Sequence, residues 1–370
     1  MKVIIAAAGT AGHINPGLSI ANKIKEQEPD SEVIFIGTDR GLEKDLVPRA
    51  GYELRTIDAY GLNFKRPDRL LKTLKGFIKA KKIIREFKPD VVIGTGGYIC
   101  GAVVTEANKL GIPTLLHESN AFPGKAVKML SKRTDCILVG FKEAKERLKN
   151  AKKIVVTGNP TKIKELNLSK DKKEEIIKSL GLDTTKPILL VFGGSQGAKA
   201  INNAIIKIVK SKANKDYQII WAPGPVQYEV IKEELNNNGV DIDNLDNTKV
   251  FPYIYNMEEI MNISDLLICR SGAMTVNEVS VVGKPAIFIP LPGVSQNHQE
   301  YNAKVLEKIG AAKIVHNEDL ETIDLNKYVE ELIYNQELLK QMGEKAQTVS
   351  NHNVIEKIYE KIKETILHKC

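Results

Sequence analysis

Lys2-Val-Ile-Ile-Ala-Ala-Ala8, followed at once by Gly9-Thr-Ala-Gly-His13, decides how the first half of the chain folds, and Ile188-Leu-Leu-Val-Phe192, followed by Gly193-Gly-Ser-Gln-Gly197, decides the second. Each is a short apolar run, a Gly-rich turn and then helix-forming sequence. A run that stays apolar at successive positions cannot alternate between a wet and a dry face, so it reads as a strand buried on both sides, the mark of a parallel sheet covered by helices. Runs of the same kind recur at Glu32 to Ile36, Asp90 to Ile93, Pro113 to Leu116, Cys136 to Val139, Tyr217 to Trp221, Asp265 to Cys269 and Pro285 to Ile289. The βα alternation repeats in two units, which predicts an α/β protein of two Rossmann-like, doubly wound parallel-sheet domains.

Length agrees with that division. The chain has 370 residues, and single hydrophobic cores stop growing at roughly 250 to 300 residues. Two domains imply a cleft between them. Gly158-Asn159-Pro160 marks the expected boundary, giving an N-terminal domain over 1–160 and a second over 165–345 that begins with a Lys/Glu-rich helix. The terminal segment, about 348–370, places Ile355, Ile358, Ile362 and Ile366 on one helical face. By analogy with other paired Rossmann-like folds, it is expected to cross back onto the first domain.

Composition narrows the class. With 42% hydrophobic and 27% charged residues the chain is that of an ordinary globular protein. No apolar run approaches the ~20 residues that span a bilayer, and the six-residue run at Val3 to Ala8 is too short for a secretory signal. The protein is therefore expected in the cytoplasm. Cys100, Cys136, Cys269 and Cys370 are scattered, without metal-ligand spacing, and read as reduced structural thiols. Charge is uneven: residues 1–160 hold 28 Lys+Arg against 17 Asp+Glu, and the rest hold 26 against 29. The excess concentrates in Asn63 to Lys88, where ten cations interleave with Phe64, Leu70, Leu74, Phe77, Ile78 and Ile84. That pattern predicts an interfacial helix on an anionic inner membrane leaflet, each cation contributing on the order of 1 kcal/mol. The alternative is a basic surface helix packed on its own domain. No base-stacking platform or groove-reading motif accompanies the charge, which argues against nucleic acid.

Four Gly-rich turns carry the candidate chemistry: Gly9 to Pro16, Gly94 to Gly101, Gly193 to Ala198, and Cys269 to Glu278. In open parallel sheets such turns sit beyond the strand carboxyl ends, where helix amino termini offer N–H groups to phosphate. None is a dinucleotide fingerprint, since Ile99 stands where a third glycine is needed, and none is a Walker loop, since Gly197-Ala198-Lys199 has neither its core nor its spacing. The strand Leu266 to Cys269 ends in a small-residue turn that starts a helix, and Glu278 falls on its second turn, from which a carboxylate can accept both ribose hydroxyls of a nucleotide; the alternative is a solvated helix Glu.

Taken with His117-Glu-Ser-Asn-Ala-Phe-Pro-Gly124, Gly158-Asn-Pro160 and Gln299-Glu-Tyr-Asn-Ala303, these turns resemble, in order and spacing from Lys2 to about Ala312, the MurG family. Its members are GT-B-fold inverting transferases that convert lipid I into lipid II in peptidoglycan synthesis. The resemblance implies that UDP-N-acetylglucosamine lies in the interdomain cleft, with Ser195 on the diphosphate, Glu278 on the ribose and Ile254 reading uracil. Ala273, Met274, Thr275, Val276 and Asn277 would line the phosphates, and Gln299 the sugar hydroxyls. Thr10, Ala11, Gly12 and Asn120 would close on the donor, while Gly94, Gly96, Gly97 and Tyr98 would face the acceptor. Lys162 stands where the family often has Arg, losing planar bidentate bonding. Ala11 replaces a usual glycine. The expected acceptor is lipid I, reached at the cytoplasmic face of the membrane by a peripheral enzyme.

An α-linked donor giving a β-linked product is attacked from the opposite face, so the acceptor hydroxyl needs a base. His13 is the candidate, as the base or as its orienter, with Glu118 and Glu106 as alternatives. Holding loop backbone or acceptor phosphate would be its other role. Leaving-group charge is expected to rest on the helix amino terminus at Ser271 to Thr275, with no metal or other cofactor. Asp241-Ile-Asp243 spells a metal-binding signature of a different transferase fold, but lies in a polar stretch without a preceding strand and reads as a solvated loop. The competing functions are another UDP-sugar lipid transferase, of diacylglycerol type, and a non-catalytic sugar-nucleotide-binding scaffold.

Overall fold

Side chains along β1 (Lys2–Ala7) alternate between two separate cores: Ile4 and Ala6 enter one, Val3, Ile5 and Ala7 the other, all fully buried. This is why the run is apolar at every position after Lys2. The computed structural model describes residues 1–60, 67–194 and 196–368, with the side chains of 67–71 outside that description. It divides into two units, Met1–Thr161 with Asn351–Cys370, and Lys162–Ser350.

In the first unit the chain continues through α1 (Ala11–Gln27), β2 (Glu32–Gly37), α2 (Glu43–Arg49), β3 (Glu53–Thr56), α3 (Pro67–Phe87), β4 (Val91–Gly96), α4 (Ile99–Lys109), β5 (Thr114–Glu118), α5 (Lys125–Leu130), β6 (Cys136–Val139), α6 (Lys142–Lys145) and β7 (Ile154–Val156). The seven strands are all parallel, in the order β3-β2-β1-β4-β5-β6-β7. Helices α3, α4 and α5 cover one face, and α1 and α2 the other. The direction of winding reverses between β1 and β4, which leaves a crevice where their carboxyl ends diverge, the place where such sheets bind ligands.

The second unit repeats the plan with α7 (Lys170–Ser179), β8 (Ile188–Phe192), α8 (Lys199–Lys210), β9 (Gln218–Ala222), α9 (Pro225–Asn237), β10 (Thr248–Val250), α10 (Met257–Ile263), β11 (Leu266–Cys269), α11 (Ala273–Val282), β12 (Ala286–Phe288), α12 (His298–Glu307), β13 (Ala312–Ile314), α13 (Leu325–Ile333) and α14 (Gln336–Gln347). Its six parallel strands run β10-β9-β8-β11-β12-β13, with the reversal between β8 and β11. Two such Rossmann-like units are the GT-B fold.

The last helix, α15 (Val354–Leu367), belongs to the first unit, where Ile358 and Ile362 enter the core beside Ile20 and Ile24 of α1. Glu28 ties this contact down, accepting from Lys363 Nζ at 2.6 Å and Tyr359 OH at 2.8 Å and pairing with the amino-terminal ammonium at 3.3 Å. The Lys363 ammonium above all, helped by Tyr359 and the terminal ammonium, outweighs the opposing effect of burial and lowers its carboxyl from 4.5 to about 2. A depressed folded-state pKa stabilises above the unfolded value and is lost as pH falls through the folded one. We therefore expect E28Q to lose ~1 kcal/mol at neutral pH, reduced by solvent screening. The difference from wild type should vanish between about pH 4.5 and about 2, read by chemical denaturation over that range.

The basic stretch splits between two faces. On α3, Ala80, Ile83, Ile84 and Phe87 are buried in the core, whereas Leu74 and Ile78 are exposed, Ile78 by 71%, one turn apart. Lys72, Lys75, Lys79 and Lys82 are exposed on the same helix. Residues 61–66, and with them Phe64, lie outside the described residues, as does the side chain of Leu70. Among the described residues no helix is long and apolar enough to cross a membrane.

Candidate active site

Among the described residues three α-helices begin with a side-chain cap, Ser169 for α7, Asp324 for α13 and Asn335 for α14 each accepting a backbone N–H. The helices that follow the Gly-rich turns are among those that have none. Thr10, Tyr98, Ala198 and Gly272, the N-cap residues of α1, α4, α8 and α11, make no capping side-chain bond, and no acidic residue occupies any of these first turns. First-turn N–H groups have no intrahelical acceptor, so these four ends can receive an anion from outside.

In the first unit, α1 starts at Ala11, and His13 lies on its first turn. Gly96 has φ +137°, and a Cβ there would fall on the His13 ring, so the imidazole lies directly against the β4 turn. Thr95 Oγ1 donates to the His13 carbonyl at 2.8 Å. The Ala8 carbonyl lies 3.0 Å from His13 Nδ1. A carbonyl only accepts, so Nδ1 carries the proton and the lone pair is left on Nε2. Burial lowers the His13 pKa below its usual 6.5, more than the Ala8 carbonyl and the Glu43 charge raise it, so the ring is neutral at pH 7. A neutral imidazole with a free Nε2 can take up a proton.

Thr10, Ala11, Gly12, Gly96 and Gly97 gather around this ring, and Tyr98 is exposed beside them. Gly94 does not join them. It lies within β4, where a Cβ would come 2.8 Å from Leu116 and 3.1 Å from Cys100, so this glycine serves sheet packing. Asn120 is fixed beyond β5, its backbone and side-chain nitrogens donating to Glu118 Oε1 at 2.9 and 3.0 Å, while Gly124 N donates to Oε2 at 2.7 Å. Glu118 thus organises the 119–124 loop, and Glu106 is buried and paired with Lys109 at 2.6 Å. Neither alternative is as open to a substrate as His13. His117 is structural: burial pushes its pKa down to about 4, and Nε2 lies 3.4 Å from the Gly158 carbonyl.

In the second unit a cavity of about 680 Å³ opens between the β8–α8 loop and the β11–α11 turn, lined by Gly193, Gly197, Gly272, Thr275 and Gln299 among others. Gln299 Oε1 accepts from Leu291 N at 2.9 Å, which fixes the side chain at the rim. Ser271 Oγ donates to the Gln299 carbonyl at 2.9 Å, and Asn302 Nδ2 to the Ser271 carbonyl at 3.2 Å, joining α12 to the α11 turn. Of the stretch from Ala273 to Asn277, Thr275 lines the cavity and Met274 is partly exposed. Ala273, Val276 and Asn277 are buried. Glu278 is half-buried on the second turn of α11, Ile254 is buried between β10 and α10, and Lys162 is exposed ahead of α7. Ser195 lies outside the described residues.

Two cations line this cavity that the sequence reading gave no role, Lys199 and Arg270. Arg270 is held by the carbonyls of Ile289 and Pro290 at 3.0 and 3.3 Å, and burial lowers its pKa. Lys199 is exposed at the first position of α8 and has no hydrogen bond or ion pair among the described residues. Its signal was its place, directly after a Gly-rich turn. Asp241 and Asp243 form a surface turn: Asp241 accepts from Asp243 N at 3.0 Å and Asn244 Nδ2 at 2.6 Å, and Asp243 pairs with Lys232 at 2.9 Å. Among the described residues no group of three or more His, Cys, Asp or Glu could hold a metal ion.

Residues 3–139 match the Glycosyltransferase family 28 N-terminal domain and residues 188–358 its C-terminal domain. The UDP-N-acetylglucosamine--N-acetylmuramyl-(pentapeptide) pyrophosphoryl-undecaprenol N-acetylglucosamine transferase of Acetivibrio thermocellus is 42% identical over 100% of both chains. The crystal structure of Acinetobacter baumannii MurG superposes with a TM-score of 0.78 at 28% identity, covering 98% of this chain and 99% of that one. UDP-GlcNAc 2-epimerase from Neisseria meningitidis shares the fold alone, with a TM-score of 0.66 at 16% identity over 98% of this chain and 100% of that one. Two family 28 domains in their order, matched over the full length to transferases of one name, place the chain in the MurG family of glycosyltransferases.

Proposed function

We infer that this protein transfers N-acetylglucosamine from UDP-N-acetylglucosamine to lipid I, undecaprenyl-pyrophosphoryl-N-acetylmuramyl-pentapeptide, making the β-1,4 linkage of lipid II in peptidoglycan synthesis. The observation that carries this reading is 42% identity over the full length to a transferase of that name, and the uncapped helix ends that follow the Gly-rich turns are compatible with it. The second unit holds the donor. Its diphosphate rests on the first turns of α8 and α11, with Ser195 and Thr275 beside it, Glu278 on the ribose, Ile254 at uracil and Gln299 on the sugar. Lys199 and Arg270 supply positive charge as the β-phosphate leaves.

The first unit presents the acceptor hydroxyl to His13. As the oxygen bonds to the anomeric carbon from the face opposite the diphosphate, its proton passes to Nε2, and the C–O bond to UDP breaks with its electron pair leaving on the diphosphate. Thr10, Ala11, Gly12, Asn120, Gly96, Gly97 and Tyr98 surround the reacting groups. Radiolabelled UDP-N-acetylglucosamine with a short-chain lipid I analogue tests the whole reading, with UDP-glucose and diacylglycerol as the parallel control. Label passing to lipid I alone, unchanged by EDTA, is the expected result. Transfer to diacylglycerol, or binding without transfer, overturns the assignment.

Leu74 and Ile78, exposed among the lysines of α3, give the enzyme a peripheral hold on the anionic inner leaflet, where its acceptor resides. Flotation on vesicles with and without phosphatidylglycerol should recover the protein with the anionic set. L74S/I78S should lower that recovery severalfold without changing turnover of a soluble acceptor. Equal recovery from neutral vesicles would remove the proposal.

A further inference from the structure

Glu43 is 0% exposed, and its carboxylate faces no cation among the described residues. It lies at the start of α2 and accepts three hydrogen bonds: Oε2 from Gly9 N at 2.9 Å, and Oε1 from Thr38 N at 2.9 Å and Thr38 Oγ1 at 2.6 Å. Burial works to raise its pKa, but the Thr38 hydroxyl and the backbone N–H groups of Gly9, Glu43 and Thr38 outweigh that and hold it below its usual range, so it is ionised. The space for it is made by two glycines. A Cβ on Gly37 would come 2.7 Å from Glu43 Cγ, and one on Gly41 2.8 Å from Cδ. Leu42 N also donates to the Gly9 carbonyl at 3.3 Å. The loop after β2 is therefore bolted to the turn that leads into α1 and His13.

A buried anion without a counter-cation opposes folding, and a neutral side chain of the same size would fill this space. We propose that Glu43 is a positioning residue for the transfer: it locks the turn at 9–13 against the β4 turn and sets a fixed negative charge behind the His13 imidazole, favouring the imidazolium formed as the acceptor is deprotonated. The proposal rests on the reading of His13 as the base. Among the described residues no other group supplies that charge. Beneath Gly96 the Cys100 thiol is protonated, its pKa pushed to about 12 by burial. Arg40, on the same loop as Glu43, pairs with Asp39 and Asp58, and the charges of α15 meet α1 and its end at Lys23 and Glu28.

The test compares E43Q, which removes the charge at constant size, with E43D, which keeps it but withdraws the carboxylate from Gly9. The His13 titration is followed by NMR in histidine-labelled protein, assigned with H13A, beside pH profiles of kcat and KM. E43Q is expected to lose on the order of tenfold or more in kcat, with KM for UDP-N-acetylglucosamine nearly unchanged. Both the His13 midpoint and the acid limb of the profile should move to lower pH. E43D should return the midpoint and limb toward wild type while kcat stays low. Wild-type kcat and midpoint in E43Q overturn the proposal, and wild-type kcat in E43D does so if E43Q fails to fold. Wild-type turnover in H13A would instead defeat the base assignment, and the NMR midpoint would still report whether Glu43 acts on the ring.

Discussion

His13→Ala is expected to lower kcat by 10²- to 10⁴-fold, the range for removal of a positioned general base, with UDP affinity unchanged. The ring lies against Gly96 in the first unit, whereas the proposed donor contacts lie in the second, so the loss should fall on the chemical step. Wild-type kcat/KM should rise with pH as His13 loses its proton, along a limb centred below the ordinary histidine range because burial disfavours the charged ring. The sign is that of a base: protonation at low pH fills Nε2 and stops proton transfer. H13A should have a low rate without this limb. Initial rates across the pH range at saturating donor decide it, and near-normal turnover in H13A would refute the assignment.

The centre of each sheet was legible because its strands are buried on both faces, as Val3 to Ala7 and Leu189 to Val191 are. The four strands that the sequence reading passed over are β3, β7, β10 and β13, the outermost strands of the two sheets. Their sequences, such as Glu53-Leu-Arg-Thr56, are half-buried and short, so they lack a continuous apolar run. The site divided in the same way. Turn residues were legible, because glycine beside a strand end has a mechanical reason, although Gly94 proved to serve packing. Glu43 and Lys199 were not, since a Glu opening one helix and a Lys opening another look like ordinary surface charges until the fold brings one to Gly9 and the other to the cavity. The apolar residues of α3 formed one pattern in sequence, and only packing separated the core set from Leu74 and Ile78.

Gly197→Ala should weaken UDP binding about 10²-fold, or roughly 2.7 kcal/mol, in a protein that still folds. Gly197 has φ +74°, and a Cβ there would overlap the carbonyl oxygen of Pro223. That carbonyl cannot retreat easily: it accepts from Asn202 Nδ2 at 3.1 Å, and Asn202 Oδ1 in turn accepts from the Trp221 indole, also at 3.1 Å, within the buried core of the unit. The β8–α8 loop must yield instead, carrying its N–H groups and the start of α8 away from the diphosphate. Gly194 gives the control. Its φ is +87°, but a Cβ there meets nothing within 4 Å, so G194A carries only the left-handed backbone strain of ~1–2 kcal/mol. If loop displacement is the cause, calorimetric titration with UDP should show G197A weakened well beyond G194A, with both melting cooperatively. Equal affinities in the two variants would mean that the contact with Pro223 does not position the phosphate loop.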